Sequence, residues 1–251
     1  MEQDEYVRKI VAAHTPNDAH DVQAVITAIT PHIHLWANGH LYELKPSGSY
    51  AKGTAITETT DVDIFISLNP SVATCNTHEN VYKSLTARLN SSGYTAREQN
   101  VSLGVKHGLL DVDFVPGVQH DIYSGDHSLW KNKQKTWTKT NIDKHISHIK
   151  NSGRAFDIRA IKIWRKLHKL DFPSFYLELS VIEALKDTTT TPSQNFIKVM
   201  NYLIIEFVSK TIYDPAVPSK EVSDELTLVE KNIIKQKAVS TLAGNWEQAI
   251  W

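Results

Sequence analysis

The chain has one cysteine, Cys75, in 251 residues. A single thiol closes no intrachain disulfide and furnishes no four-cysteine zinc site. An excess of one charge is also missing: 27 Lys and Arg stand against 28 Asp and Glu, a formal net charge of −1. A protein that grips many phosphates of a long duplex carries a basic surplus; none shows globally, which leaves room only for a local basic stripe. Long hydrophobic runs are absent too. The most apolar short segment, Tyr202 to Val208, contains Glu206 and is far too short to span a bilayer. The opening MEQDEYVRKI lacks the apolar core of a signal peptide. These absences predict a cytoplasmic protein with no membrane partner. What is present is ordinary for a folded chain, 41% hydrophobic and 22% charged residues, enough for one large domain or two small lobes.

The texture changes along the chain. Residues 1–18 read as a polar lead-in broken at Pro16, and Asp21 to Ala37 as a helix that Pro31 should kink or interrupt. Leu41–Leu44 reads as a short strand, followed by the loop 46–54. Asp61–Leu68 alternates as a strand, with Val62, Ile64, Ile66 and Leu68 on one face and Asp61 and Asp63 on the other. A helix over 80–90 and strands over 95–103 and 109–115 follow, the last stopped by Pro116-Gly117. Beyond about residue 140 helical periods dominate, at 142–151, 154–170, 174–186, 193–210 and 224–239. The expected fold class is α+β in two lobes. Residues 1–140 would form a mixed-sheet core with helices, residues 141–251 a helical lobe, and a cleft between them would be the natural ligand site.

One constellation carries chemistry. Gly48-Ser49 sits in a loop, Asp61 and Asp63 open the strand that follows, and Asp113 lies on a later strand. Carboxylates at i and i+2 on a strand project from one face. Such hard oxygen ligands suit Mg²⁺ or Mn²⁺, which keep waters and bind substrate phosphates. A third carboxylate from a neighbouring strand would complete a two-metal site of the kind that activates a hydroxyl and stabilises leaving pyrophosphate. The Gly-Ser loop lets backbone N–H groups approach phosphates closely. Asp111 alternates onto the same side as Asp113 and is the second choice for the third acid.

Gly48-Ser49-Tyr-Ala-Lys-Gly-Thr-Ala-Ile56 followed by Asp61-Val-Asp63-Ile resembles the signature of the DNA polymerase β-like nucleotidyltransferases. Asp113-Phe-Val-Pro116 is similar to that superfamily's third acidic position. The segments 137–149, 154–168, 173–179 and 212–215, with Gly244-Asn-Trp246, resemble the helical lobe of one branch. That branch holds oligoadenylate synthetases, animal cyclic GMP–AMP synthase and bacterial cyclic-oligonucleotide synthases (CD-NTases), with class I CCA-adding enzymes as near relatives. The resemblance implies metal-binding and catalytic roles for Asp61, Asp63 and Asp113, with Asp113 also helping to deprotonate the attacking hydroxyl. It implies donor-phosphate contacts for Gly48, Ser49, Lys162 and Ser174, and an aromatic surface for the donor base at Phe175. The implied activity is transfer from a nucleoside triphosphate, ATP first, with Mg²⁺ or Mn²⁺, to give a cyclic or linear oligonucleotide messenger for a downstream effector, as in anti-phage signalling.

Plainer readings stand beside these. Arg154, Arg159, Lys162, Arg165, Lys166 and Lys169 share one side of a helix, which on its own describes a solvated basic face. The twelve histidines include the close pairs His32/His34 and His145/His148, but no cysteine or Glu-x-x-His pairing supports a zinc site, and the six tryptophans read as core or rim anchors. Glu178 reads as a structural acceptor. Two other functions compete: transfer to the 3′ end of an RNA such as tRNA, and a catalytically silent nucleotide sensor or scaffold.

Overall fold

The structure is a computed structural model describing residues 2–16, 19–57, 61–245 and 248–250, with the side chains of 19–21 outside the description. Trp246 and Trp251, among the expected anchors, lie outside the described residues. By contact the chain divides into two compact units: Asn17–Lys52 with Thr60–Ile146, and Met1–Pro16 with Gly53–Thr59 and Ser147–Trp251. The division is not linear in sequence, because two short N-terminal segments join the helical unit.

The first unit is built on a seven-stranded sheet. Its strands are β1 (Leu41–Pro46), β2 (Val62–Leu68), β3 (Arg97–Glu98), β4 (Leu103–His107), β5 (Leu110–Gln119), β6 (His127–Lys131) and β7 (Thr136–Thr140). The order is β1-β2-β5-β4-β3, with β6 pairing β5 and β7. Among the described residues only β2 and β5 run parallel; the other pairs are antiparallel. Val62, Ile64, Ile66, Leu103, Val105, Val112 and Phe114 are buried in one cluster. The helices α2 (Ala19–Ala37) and α4 (His78–Ser91) add Val25, Ile29, Ile33, Tyr82, Leu85 and Leu89 to it. Thr77 caps α4 by accepting from the Asn80 N–H.

The helical unit contains α1 (Gln3–Ala13), the second half of α5 (Ile142–Asn151), α6 (Ala155–Leu167), α7 (Ser174–Ala184), α8 (Pro192–Ile205) and α9 (Leu228–Ala243). Trp164, Tyr176, Leu177, Met200 and Phe207 are buried at its centre. Capping boxes at Thr191–Gln194 and Thr227–Glu230 start α8 and α9.

Several expectations are corrected. The polar lead-in is a helix: Tyr6, Val7 and Val11 recur on one side of α1 and are buried in the helical core, so tertiary burial outweighs the charged residues between them. Pro31 neither ends nor divides α2. It is exposed, as is Thr27, whose carbonyl loses its i+4 donor to the proline. The loop 46–54 contains a helical turn, α3 (Gly48–Lys52). The strand expected over 95–103 is broken by a turn at 99–102, and Pro116 does not stop β5. Pro116 stays in register with Ile66 of β2, while on the other edge of β5 the pairing with β4 reaches only to Phe114 and that with β6 only to Gly117, so Pro116 sits in a gap on that edge where no donor is needed. β6 and β7 were not foreseen; polar residues and the lysines 131, 133 and 135 obscure their alternation.

Candidate active site

Two of the predicted acids lie on β2 and its parallel neighbour, and a third just before β2. Parallel pairing sets Asp63 directly beside Asp113, on strands about 4.8 Å apart, so the two carboxylates share one face. Asp61 lies one residue before β2 and is exposed. Its charge reaches Asp113: burial, and then the Asp61 charge, push the Asp113 carboxyl above its usual range, against hydrogen bonds that lower it.

Gly48 explains why a glycine opens the motif. It has φ +58°, and a Cβ there would lie 1.7 Å from Asp63 Oδ2 and 2.4 Å from its Cγ. The backbone of the loop therefore lies flush against the carboxylate. The preceding residue fixes it there, since the Ser47 N–H donates to the Asp63 carbonyl at 2.8 Å. Ser49 follows as the second residue of α3, half-buried, its hydroxyl without a hydrogen bond among the described residues.

Asp113 has partners that the sequence did not signal. Gln99 Nε2 donates to Asp113 Oδ1 at 2.9 Å, and Ser102 Oγ lies 3.2 Å from Oδ2. Gly104 pairs with Asp113 across β4 and β5, and a Cβ on it would come within 2.8 Å of Gln99 Nε2 and 3.0 Å of Asp113 Oδ1. Asp111 has a different setting. It pairs with Arg97 at 3.0 Å and Lys106 at 2.9 Å, and these cations hold its carboxyl below the usual range. Of the two acids, Asp113 is the one without a cation paired to it among the described residues.

Among the described residues no three His, Cys, Asp or Glu side chains form a ready-made metal cage. The donor set still fits Mg²⁺ or Mn²⁺. Such ions are held by one or two carboxylates together with waters and substrate phosphates rather than by all-protein cages. Asp63 and Asp113, in register with the Asp61 charge nearby, supply hard oxygens and a negative field.

The other predicted residues belong to the helical unit. Lys162 is not on a solvated face: it is 2% exposed. Its ammonium donates to Glu178 Oε1 at 2.7 Å, to Thr54 Oγ1 at 3.0 Å and to the Thr54 carbonyl at 3.2 Å. Thr54 Oγ1 also donates to Glu178 at 2.7 Å. Lys162 is thus part of a buried strut joining α6, α7 and the 53–59 segment, and Glu178 is the acceptor expected of it. Ser174 opens α7, exposed, and its Oγ accepts from Arg165 Nη1 at 2.9 Å; the same nitrogen donates to the Phe172 carbonyl. Phe175 is half-buried and packs against the helical core.

No protein-family model matches the chain. Its sequence is 28% identical over 158 residues to the cyclic AMP-AMP-AMP synthase of Escherichia coli MS 115-1, a match covering 58% of this chain and 49% of that protein. The chain thus matches about half the length of this curated relative. The structure of E. coli MS115-1 CdnC with ATP aligns over 94% of this chain and 89% of that one, with a TM-score of 0.79 and 20% identity. The Bradyrhizobium diazoefficiens CD-NTase CdnG in complex with GTP aligns over 99% and 91%, with a TM-score of 0.78 and 13% identity. At these identities the structural likeness speaks for the fold. In fold throughout, and in sequence over part of its length, the chain is similar to the bacterial CD-NTases, in agreement with the resemblance its motifs carry.

Proposed function

We propose that this chain is a metal-dependent nucleotidyltransferase that joins nucleoside triphosphates into a cyclic or linear oligonucleotide messenger, read by a downstream effector in a defence response such as anti-phage signalling. The observation that carries this reading is the register of Asp63 beside Asp113 with the Gly48 backbone pressed onto Asp63. A hydroxyl of the acceptor nucleotide attacks the donor α-phosphorus; a new P–O bond forms, the bond to the β-phosphate oxygen breaks, and pyrophosphate leaves. Gly48 and Ser49 present the backbone and a free hydroxyl to the donor phosphates. Asp113, whose affinity for a proton is raised by burial and by the Asp61 charge, accepts the proton of the attacking hydroxyl. Asp61, Asp63 and Asp113 would hold Mg²⁺ or Mn²⁺, whose charge stabilises the attacking and leaving oxygens when bound. ATP is the first donor to try, because the curated relative is a cyclic AMP-AMP-AMP synthase.

The test is incubation with radiolabelled ATP, CTP, GTP and UTP, singly and mixed, with Mg²⁺ or Mn²⁺, followed by phosphatase and separation. A phosphatase-resistant product, lost in the Asp61→Ala/Asp63→Ala double variant, is the expected result and names the bases. A product formed only on added tRNA would replace this reading with 3′-end transfer. Full biological activity of the double variant would replace it with a silent sensor.

A further inference from the structure

Beyond the motif residues, we propose that Gln99 and Ser102 are positioning residues for Asp113: they clamp its carboxylate in the orientation in which it takes a divalent cation. This rests on the metal-dependent reading above. Each residue addresses a different oxygen, Gln99 Nε2 on Oδ1 at 2.9 Å and Ser102 Oγ on Oδ2 at 3.2 Å. A carboxylate held on both oxygens cannot rotate freely, yet each oxygen keeps a lone pair for a cation or a proton. The single Ser102 hydroxyl proton is shared between two acceptors, since Oγ also lies 2.9 Å from Gln99 Oε1, and the amide is oriented by the carboxylate that its Nε2 meets. Turning the amide over would set Oε1 against the carboxylate.

The two donors are parts of one built turn. The Gln99 N–H donates to the Ser102 carbonyl at 3.0 Å. The hydroxyl of Tyr82, a residue fully buried on α4, reaches the Gln99 carbonyl at 2.9 Å and the Ser102 carbonyl at 2.8 Å. Gly104 provides the space, since any Cβ there would crowd both Gln99 Nε2 and Asp113 Oδ1. A buried tyrosine, a turn and a bare strand position thus converge on one carboxylate.

The experiment compares wild type with Gln99→Met, Ser102→Ala and the double variant. Mn²⁺ binding is read by electron paramagnetic resonance in the presence of a non-hydrolysable ATP analogue, beside melting temperature and steady-state kinetics. Loss of a partner that orients a ligand typically costs 10–100-fold, so the double variant should bind Mn²⁺ about 10-fold more weakly. Its kcat should fall with KM for the nucleotide little changed, its melting temperature should stay near wild type, and Ser102→Thr should recover Mn²⁺ affinity. The proposal is overturned if wild type binds no Mn²⁺, if the double variant binds it as wild type does, or if affinity falls only in step with melting temperature. Weakened Mn²⁺ binding in the double variant, beside a wild type that makes no nucleotide product, would uphold the clamp and sink the transferase reading. Unaltered affinity in an active enzyme would do the reverse.

Discussion

At Gly48 a left-handed backbone and a carboxylate compete for one small volume. An L-residue held at φ +58° costs about 1–2 kcal/mol, and the added methyl must displace the Asp63 carboxylate. Gly48→Ala should therefore lower the unfolding midpoint modestly and turnover on the order of 100-fold, as ångström-scale misplacement does; urea unfolding beside product formation checks both. Lys162 makes the opposite case. Removing one member of a buried ion pair costs about 3–5 kcal/mol, so Lys162→Met should be chiefly a stability variant. Lys162→Met combined with Glu178→Leu should recover much of the loss, as measured by urea unfolding. The placement of Asp63 beside Asp113 was legible because carboxylates spaced two apart on a strand share a face. The burial of Lys162 was not, because a helical wheel gives the side of a helix and not its neighbours. Gln99 and Ser102 were hidden for a related reason: their role comes from a cross-strand register that no local spacing encodes.

At the scale of elements, the paired strands β2, β5 and β6 also bury a histidine. His127 Nδ1 lies 2.8 Å from the Gly125 carbonyl and so carries the proton, which makes Nε2 the acceptor for Ser67 Oγ at 2.7 Å. Burial holds the imidazole below its usual value near 6.5. The unfolded chain therefore takes up the proton first as pH falls. Stability is full above about pH 6.5 and declines below it. Urea unfolding at pH 7.5, 6.5 and 5.5 should show this decline, and His127→Gln, which cannot titrate, should make it shallower. His78 and His168, lowered mainly by burial as well, keep it from vanishing. The long helices were readable from period alone, and β2 from its alternation. β5 was cut short at Pro116 because a proline reads as a stop unless the gap between its neighbours is known.

The whole molecule has two separately assembled cores, one centred on the sheet and one on Trp164, Tyr176 and Phe207. The change of texture near residue 140 was visible in the sequence, but the membership of residues 1–16 and 53–59 was not, since it depends on contacts far along the chain. A fragment 141–251 would lack Tyr6, Val7, Val11 and Ile56 from its core and Thr54 from the Lys162–Glu178 strut. It should lack near-ultraviolet circular dichroism and a cooperative melt; a fully cooperative fragment would show that these segments are dispensable. The same arrangement sets a timetable for synthesis. α1 leaves the ribosome early, but the helices it packs against, α6 and α8, are translated well over a hundred residues later. At roughly 5–20 residues per second, Tyr6, Val7 and Val11 wait on the order of ten seconds or more for their partners, and through that interval the apolar side of α1 is a target for chaperones.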